Sequence, residues 1–341
     1  MSTSHVLSSQ LFALSEFDSL RTRLEKRSQL LQTVRAFFYA RNLCEVDTPL
    51  LSKAATPDVH LHSLHTQVQV PGFKDPQTFY LHTSPEYPMK RLLCHGSGDI
   101  FFLGKVFRDG DLSPRHQVEF TMLEWYRLNF SMFDLIAEVA GLLKSILGDL
   151  SVEQLSYQQA FKIYAGIEDI FSASAAECQA CLSRFKVPEI VGVDNDDKPL
   201  WEQLVLTEVI EAQLGRTVNG GHRITVLYHF PARDAALAQI SAENPQVAER
   251  FEVFINGMEL ANGYQELSDA EIYRQRFNES LALREQYNLP TVPLDENLLQ
   301  TLQNKSLPDC SGVALGVDRM FLLQQGFSDI EQGIGFGLLA Q

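Results

Sequence analysis

Arg108, Glu119, Glu124 and Tyr126 fall within one stretch, Lys105 to Tyr126, which reads KVFRDGDLSPRHQVEFTMLEWY. An apolar run closes at Phe107-Arg108, turn residues occupy Gly110 to Pro114, and a second apolar run from Glu119 to Tyr126 carries the two glutamates and the tyrosine. This is the pattern of a β-hairpin, and an arginine held at a strand end can brace a phosphate. An ordinary hairpin with a surface arginine has the same local pattern, and for a lone Phe-Arg that plainer account is favoured.

Two further groups add chemistry. Glu252 and Glu259 stand on either side of an Asn256-Gly257 turn, where two carboxylates can converge on Mg²⁺ between phosphate oxygens. The plainer account is a pair of solvated acids at a strand edge. The stretch Gly312 to Met320, GVALGVDRM, predicts a small-residue strand running into a helix with Arg319 at the junction. Cys178-x-x-Cys181 is the only close cysteine pair, and without a second pair at zinc spacing it reads as two small core residues on a helix.

These residues need elements to hold them. Leu20 to Arg41 predicts an amphipathic helix with Leu24, Leu31, Val34 and Phe38 on its apolar face, broken by Asn42. Cys44 to Pro49 predicts a short strand stopped by proline. Val68 to Val70 and Thr78 to His82 predict strands around Pro71-Gly72, and Ser84-Pro85-Glu86 opens a helix over Met89 to Cys94 with the serine as N-cap. Beyond the hairpin come a helix from Met132 to Leu147, a mainly helical region over residues 151 to 215, and a strand from Thr225 to Phe230. Strands Phe251 to Ile255 and Glu259 to Ala261 flank the Asn256-Gly257 turn, and Asp269 to Tyr287 predicts a charged helix.

Bulk composition excludes several classes. With 45% hydrophobic and 10% aromatic residues the chain suits a folded protein, and no apolar run approaches the roughly 20 residues of a membrane span. Its start lacks a basic segment followed by an apolar core, so it does not read as a secretory signal, and the cytoplasm is the expected location. Five scattered cysteines suit a reducing compartment. A net charge of −15 repels polyanions on average and disfavours a broad nucleic-acid-binding face.

The helix with its following Pro49 unit, the Phe-Arg hairpin and the Gly-rich strand leading to Asp318-Arg319 stand in the order of the three motifs of class II aminoacyl-tRNA synthetases. Ser84-Pro85-Glu86, Glu119 to Tyr126, Glu259-Leu260-Ala261-Asn262-Gly263 and Asp318-Arg319-Met320 resemble the lysine branch of that family. Thr121-Met122-Leu123-Glu124-Trp125-Tyr126 with Ala314 looks most like its truncated paralogues, which modify elongation factor P with β-lysine. The resemblance covers about residues 20 to 341.

The resemblance implies an α+β fold, a mostly antiparallel sheet flanked by helices. Residues 1–19 would be an N-terminal lead and 20–341 a catalytic domain with no anticodon-binding domain, since the lead is too short for that β-barrel. It implies a homodimer formed through the first helix, ATP as co-substrate with Mg²⁺, (R)-β-lysine as small-molecule substrate, elongation factor P as acceptor, and no tRNA. Arg108 and Arg319 would be catalytic, the first bracing the α-phosphate and substrate carboxylate, the second holding the tail of ATP. Asp109, Gly110, His116, Gln117, Phe120, Glu259, Leu260 and Gly316 would complete the ATP site, with Phe120 on adenine and His116 at the outer phosphates. Glu252 and Glu259 would hold the metal.

For the amino acid, Glu86 and Glu266 would each pair with an ammonium, Tyr126 would bond the side-chain amine, and Ser84, Pro85, Glu124, Asn262 and Ala314 would line the pocket. Two buried acids suit a diamine, because a substrate without ammonium groups leaves them unpaired at several kcal/mol. Ala314 replaces a glycine of the tRNA enzymes, a change associated in the paralogues with β-lysine. The family's Phe-Arg-Asn-Glu is here Phe107-Arg108-Asp109-Gly110, and its Asn-Pro before Glu-Phe is Gln117-Val118. A minimal lysyl-tRNA synthetase or free amino-acid ligase is the first alternative. A catalytically silent paralogue that binds an amino acid and regulates a partner is the second.

Overall fold

The structure is a computed structural model and describes residues 19–338. The expected N-terminal lead lies, up to residue 18, outside the described residues. In chain order, helix α1 (Leu20–Tyr39) precedes strands β1 (Cys44–Glu45), β2 (Leu51–Ser52), β3 (His65–Val68) and β4 (Gln77–Leu81). Helix α2 (Glu86–Cys94), strands β5 (Ile100–Phe107) and β6 (Glu119–Leu128) and helix α3 (Met132–Leu147) follow. Next come β7 (Val152–Ser156), α4 (Tyr157–Ala160), α5 (Ala175–Arg184), α6 (Lys198–Val205) and β8 (Ile224–Tyr228). The chain continues through β9 (Arg250–Ile255), β10 (Met258–Gln265), α7 (Ala270–Gln286), α8 (Glu296–Lys305), β11 (Cys310–Gly316) and α9 (Val317–Gln325). This is the α+β class expected, and among the described residues no helix is long and apolar enough to cross a membrane.

The chain divides into two compact units, one holding residues up to Tyr126, Ser268–Pro308 and Leu315 onward, the other Arg127–Leu267 and Asp309–Ala314. In the first, β5 pairs parallel with β1 and antiparallel with β6, the register running from Ile100 opposite Tyr126 to Phe107 opposite Glu119. The expected hairpin is thus in place. A three-stranded antiparallel sheet, β2-β4-β3, also belongs to this unit. Ser19 caps α1 by accepting from the Thr22 N–H, and Asn42 ends that segment at a φ of +61°. Its buried face is Leu30, Val34 and Phe38, with Phe38 stacked 4.9 Å from Phe101. Leu24, expected on that face, is 47% exposed, so the apolar stripe starts a turn later than its spacing suggests. Helix α8, which packs against α2 and α7, was not expected from the sequence.

In the second unit β10, β9 and β8 pair antiparallel, while β7 joins β8 in parallel with Val152 opposite Ile224. Strand β7 lies in the region read as mainly helical; its state is set by partners some seventy residues away. Strand β10 runs on to Gln265, well past Ala261. Helix α3 matches its expected bounds and packs on β10, held at its start by a Ser131–Asp134 capping box. Cys178 and Cys181 are both buried on α5 in an apolar cluster with Phe161, Trp201 and Val205, which is the core role the sequence suggests.

Candidate active site

Arg108 follows β5 directly, its N–H bonded to the Val118 carbonyl at 2.9 Å, so the hairpin closes just beyond the strand. Its guanidinium lies over the Phe120 ring, 5.2 Å from the centroid, a cation–π contact joining two residues expected to hold ATP. The turn beyond is anchored by the Asp109 N–H to the His62 carbonyl at 2.8 Å, and its exposed tip needs a glycine because Gly110 has a φ of +84°. At the end of the turn His116 Nδ1 lies 2.7 Å from the Ser113 hydroxyl, and Arg319 donates from Nη2 to His116 Nε2. Arginine only donates, so Nε2 accepts and the ring proton sits on Nδ1 facing Ser113. Arg319 lies in the first turn of helix α9, at the expected junction, with Gly316 as the N-cap residue. Gln117 is 4% exposed, bonded to Glu331 at 3.2 Å and to the Leu338 N–H at 3.4 Å, so its amide faces the C-terminal segment.

The start of α2 meets β6 in a second group. Ser84 stands one residue ahead of the N-cap position, which Pro85 occupies; its hydroxyl accepts from the Glu86 N–H at 3.0 Å and donates to Glu124 at 2.7 Å. Tyr126 donates to the other Glu124 oxygen at 2.8 Å, as two residues apart on a strand share a face. Glu124 is 2% exposed. Burial first, and the Glu86 charge second, push its carboxyl up to about 8, against the lowering effect of the Ser84 and Tyr126 hydrogen bonds and Lys90. Glu86 receives the Lys90 ammonium on Oε1 at 2.6 Å, and the same ammonium donates to the Tyr273 hydroxyl at 2.9 Å. Lys90 is absent from the sequence reading, although its spacing of one turn after Glu86 is a signal the sequence carries.

The second unit holds the remaining residues. Glu259 pairs with Phe254 and Asn262 with Glu252, because a bulge falls between Glu259 and Ala261. Glu259 shares the face of Glu252 through its pairing with Phe254, and the bulge brings Asn262 to that same face, which the plain alternation of a strand would not do. Glu252 is 8% exposed, so it is no solvated strand-edge acid. Burial pushes its carboxyl up to about 8, opposed by the Arg250 guanidinium at 2.6 Å and reinforced by Glu259 and Glu211. Asn262 Nδ2 reaches Glu252 at 3.5 Å, and its Oδ1 is buried without a hydrogen-bond partner. Glu252, Glu259 and the open Asn262 amide oxygen offer oxygen ligands suited to a divalent cation, while among the described residues no three His, Cys, Asp or Glu side chains gather closely enough to hold one by themselves. Leu260 is buried, Glu266 is 2% exposed with its N–H on the Cys310 carbonyl at 3.0 Å, and Ala314 is partly buried on β11.

The residues therefore gather as Arg108 with Phe120, His116 with Arg319, Ser84 with Glu124 and Tyr126, Glu86 with Lys90, and Glu252 with Glu259 and Asn262. Asp109 and Gly110 remain at an exposed tip. A cavity of about 280 Å³ in the first unit is bordered by Arg27, Lys105, Glu119 and Thr121, and of the expected site residues only Gln117 reaches it.

A family model described as tRNA synthetases class II (D, K and N) matches residues 5–339. A Haemophilus ducreyi protein named elongation factor P (R)-beta-lysine ligase is 43% identical over 320 residues, 94% of this chain and 94% of its own length. Proteins of the same name from Yersinia enterocolitica and Avibacterium paragallinarum are 43% and 42% identical, the matches covering 92% and 94% of this chain and 94% and 96% of those proteins.

Proposed function

The chain belongs to the class II tRNA synthetase family of the D, K and N type, and on that premise we propose that it is an ATP-dependent ligase that activates (R)-β-lysine and transfers it to a lysine side chain of elongation factor P. The observation that carries this reading is the 43% identity to the Haemophilus ducreyi ligase over 94% of both chains. The substrate carboxylate attacks the α-phosphate of ATP and pyrophosphate leaves, giving an aminoacyl-adenylate. The acceptor amine then attacks the acyl carbon, AMP leaves, and the amine gives up a proton.

The chain's own residues supply binding, orientation and charge. Arg108 braces the α-phosphate and the incoming carboxylate while Phe120 stacks on adenine. His116 and Arg319, already bonded to each other, take the outer phosphates. Asp109, Gly110, Gln117, Glu259, Leu260 and Gly316 are assigned to the nucleotide by the resemblance alone, Asp109 and Gly110 standing at an exposed tip and Gln117 with its amide toward the C-terminal segment. Glu252 and Glu259, with the open Asn262 oxygen beside them, would hold Mg²⁺, whose chemistry is to neutralise charge on the phosphate oxygens.

Glu266 and Glu86 receive the two ammonium groups, Glu86 through Oε2 since Lys90 is bonded to Oε1. Tyr126, Glu124, Ser84, Pro85 and Asn262 complete the wall, and Ala314 tunes the choice between α- and β-lysine. In this reading the protein is a cytoplasmic homodimer paired through α1 and takes no tRNA. Pyrophosphate exchange with α-lysine, (R)-β-lysine and related diamines tests it. Exchange strongest with β-lysine is expected; binding without exchange would instead mark a silent regulatory relative, and charging of tRNA a minimal synthetase.

A further inference from the structure

Arg319 stands in the first turn of α9, and that turn has no capping side chain, its N-cap being Gly316. What ties it down is the preceding residue. Asp318 is 4% exposed. One carboxylate oxygen accepts from the Thr121 N–H on β6 at 2.7 Å, and the other lies 2.5 Å from Nη2 of Arg27 on α1. The same nitrogen donates to the Thr121 hydroxyl at 2.9 Å, and the Arg27 guanidinium lies 5.7 Å from the Phe321 ring centroid, on the same helix as Asp318. Three segments distant in the chain, α1, β6 and α9, thus meet at one carboxylate.

We infer that Arg27 is a positioning residue for the nucleotide: by holding Asp318 against Thr121 it fixes the first turn of α9 and so aims the Arg319 guanidinium. The inference rests on the reading of Arg319 as the ligand of the ATP tail. Its physical basis is the cost of a buried carboxylate that loses the guanidinium beside it; such a group turns toward water, and an uncapped helix start gives way with it. Arg319 is the adjoining residue, bonded to the Arg115 carbonyl and to His116, both in the hairpin turn. Its aim therefore depends on its own backbone, which Asp318 ties down, as well as on the hairpin turn. The residues assigned to the amino acid include none of these groups, so the effect is specific to ATP.

The test is ATP–pyrophosphate exchange by the full-length protein with Arg27→Met, Arg27→Lys, Asp318→Asn and Arg319→Ala. Arg27→Met is expected to raise KM for ATP about tenfold and to leave KM for the amino acid within about twofold, with partial recovery in Arg27→Lys, which keeps the charge without the fork. A folded Arg27→Met protein with unchanged KM for ATP, or with both KM values raised alike, overturns the inference when Arg319→Ala does raise KM for ATP. If Arg319→Ala leaves KM for ATP unchanged, the reading of Arg319 itself falls, and the inference with it. Asp318→Asn carries the same expectation and the same contrary result should Arg27→Met fail to fold.

Discussion

Lys90 and Glu86 form an ion pair one helical turn apart, 2.6 Å between Nζ and Oε1, with the lysine side chain wholly buried. The pair cancels charge where the amino-acid pocket is proposed, and the neighbouring Glu124 is held protonated near neutral pH by burial and by Glu86. This half of the pocket therefore carries little net charge until a cationic substrate arrives.

Removing one partner of such a pair strands the other. Lys90→Met is expected to destabilise the protein by about 3 kcal/mol, whereas Lys90→Met combined with Glu86→Gln recovers most of that loss. Urea unfolding of the two single variants and the double variant measures the coupling. Additive losses would show that the two side chains act independently.

Glu124 gives stability a pH dependence of unusual sign for a glutamate. Its folded value of about 8 lies above the ordinary 4.5, so the folded protein keeps a proton that the unfolded chain releases between those limits. Its contribution is fully present below the lower value and is lost as pH rises toward the upper one. Glu124→Gln removes the effect, so the variant gains stability relative to the parent at pH 8 compared with pH 5. Thermal unfolding at the two pH values reads the difference. An equal offset at both would mean that Glu124 titrates in its ordinary range.

The hairpin and the pairing of β9 with β10 were legible because each depends on local signals, Gly110 to Pro114 in one and Asn256-Gly257 in the other. Helix α3 was legible for the same reason, with a capped start and an apolar face. What escaped depends on distant partners. Val152–Ser156 has no strong local preference and becomes a strand because β8 pairs with it. The bulge that brings Asn262 to the face of Glu252 has no signature in the sequence, and neither does the contact between Arg27 and Asp318. Lys90 and helix α8 are different cases. An Asp295 cap followed by Leu298, Leu299 and Leu302 was there to be read, as was Lys90 at four residues from Glu86.

Arg108 supplies two properties to its proposed role, charge and a planar fork over Phe120. Arg108→Ala is expected to lower pyrophosphate exchange by at least about a hundredfold, as loss of a preorganised donor does. Arg108→Lys keeps the charge alone and should fall nearer to the alanine variant than to the parent. Near-parental rates in either variant remove Arg108 from the reaction.

Gly263 sits where β10 passes close to its neighbours. A Cβ there would lie 2.5 Å from Phe251 Cζ and 2.9 Å from the Gly312 carbonyl oxygen. Gly263→Ala is expected to cost about 1–3 kcal/mol in urea unfolding through overpacking. A neutral substitution would show that the strand has room to move, and with it the adjacent Asn262.

The proposed reaction ends in transfer of an activated β-amino acid to a protein. Its most direct measurement is the intact mass of elongation factor P after incubation with this protein, ATP, Mg²⁺ and (R)-β-lysine. A single increment of one β-lysyl residue is expected, dependent on ATP and absent with Arg108→Ala. An unmodified factor under conditions where the same protein sample exchanges pyrophosphate with β-lysine would contradict it.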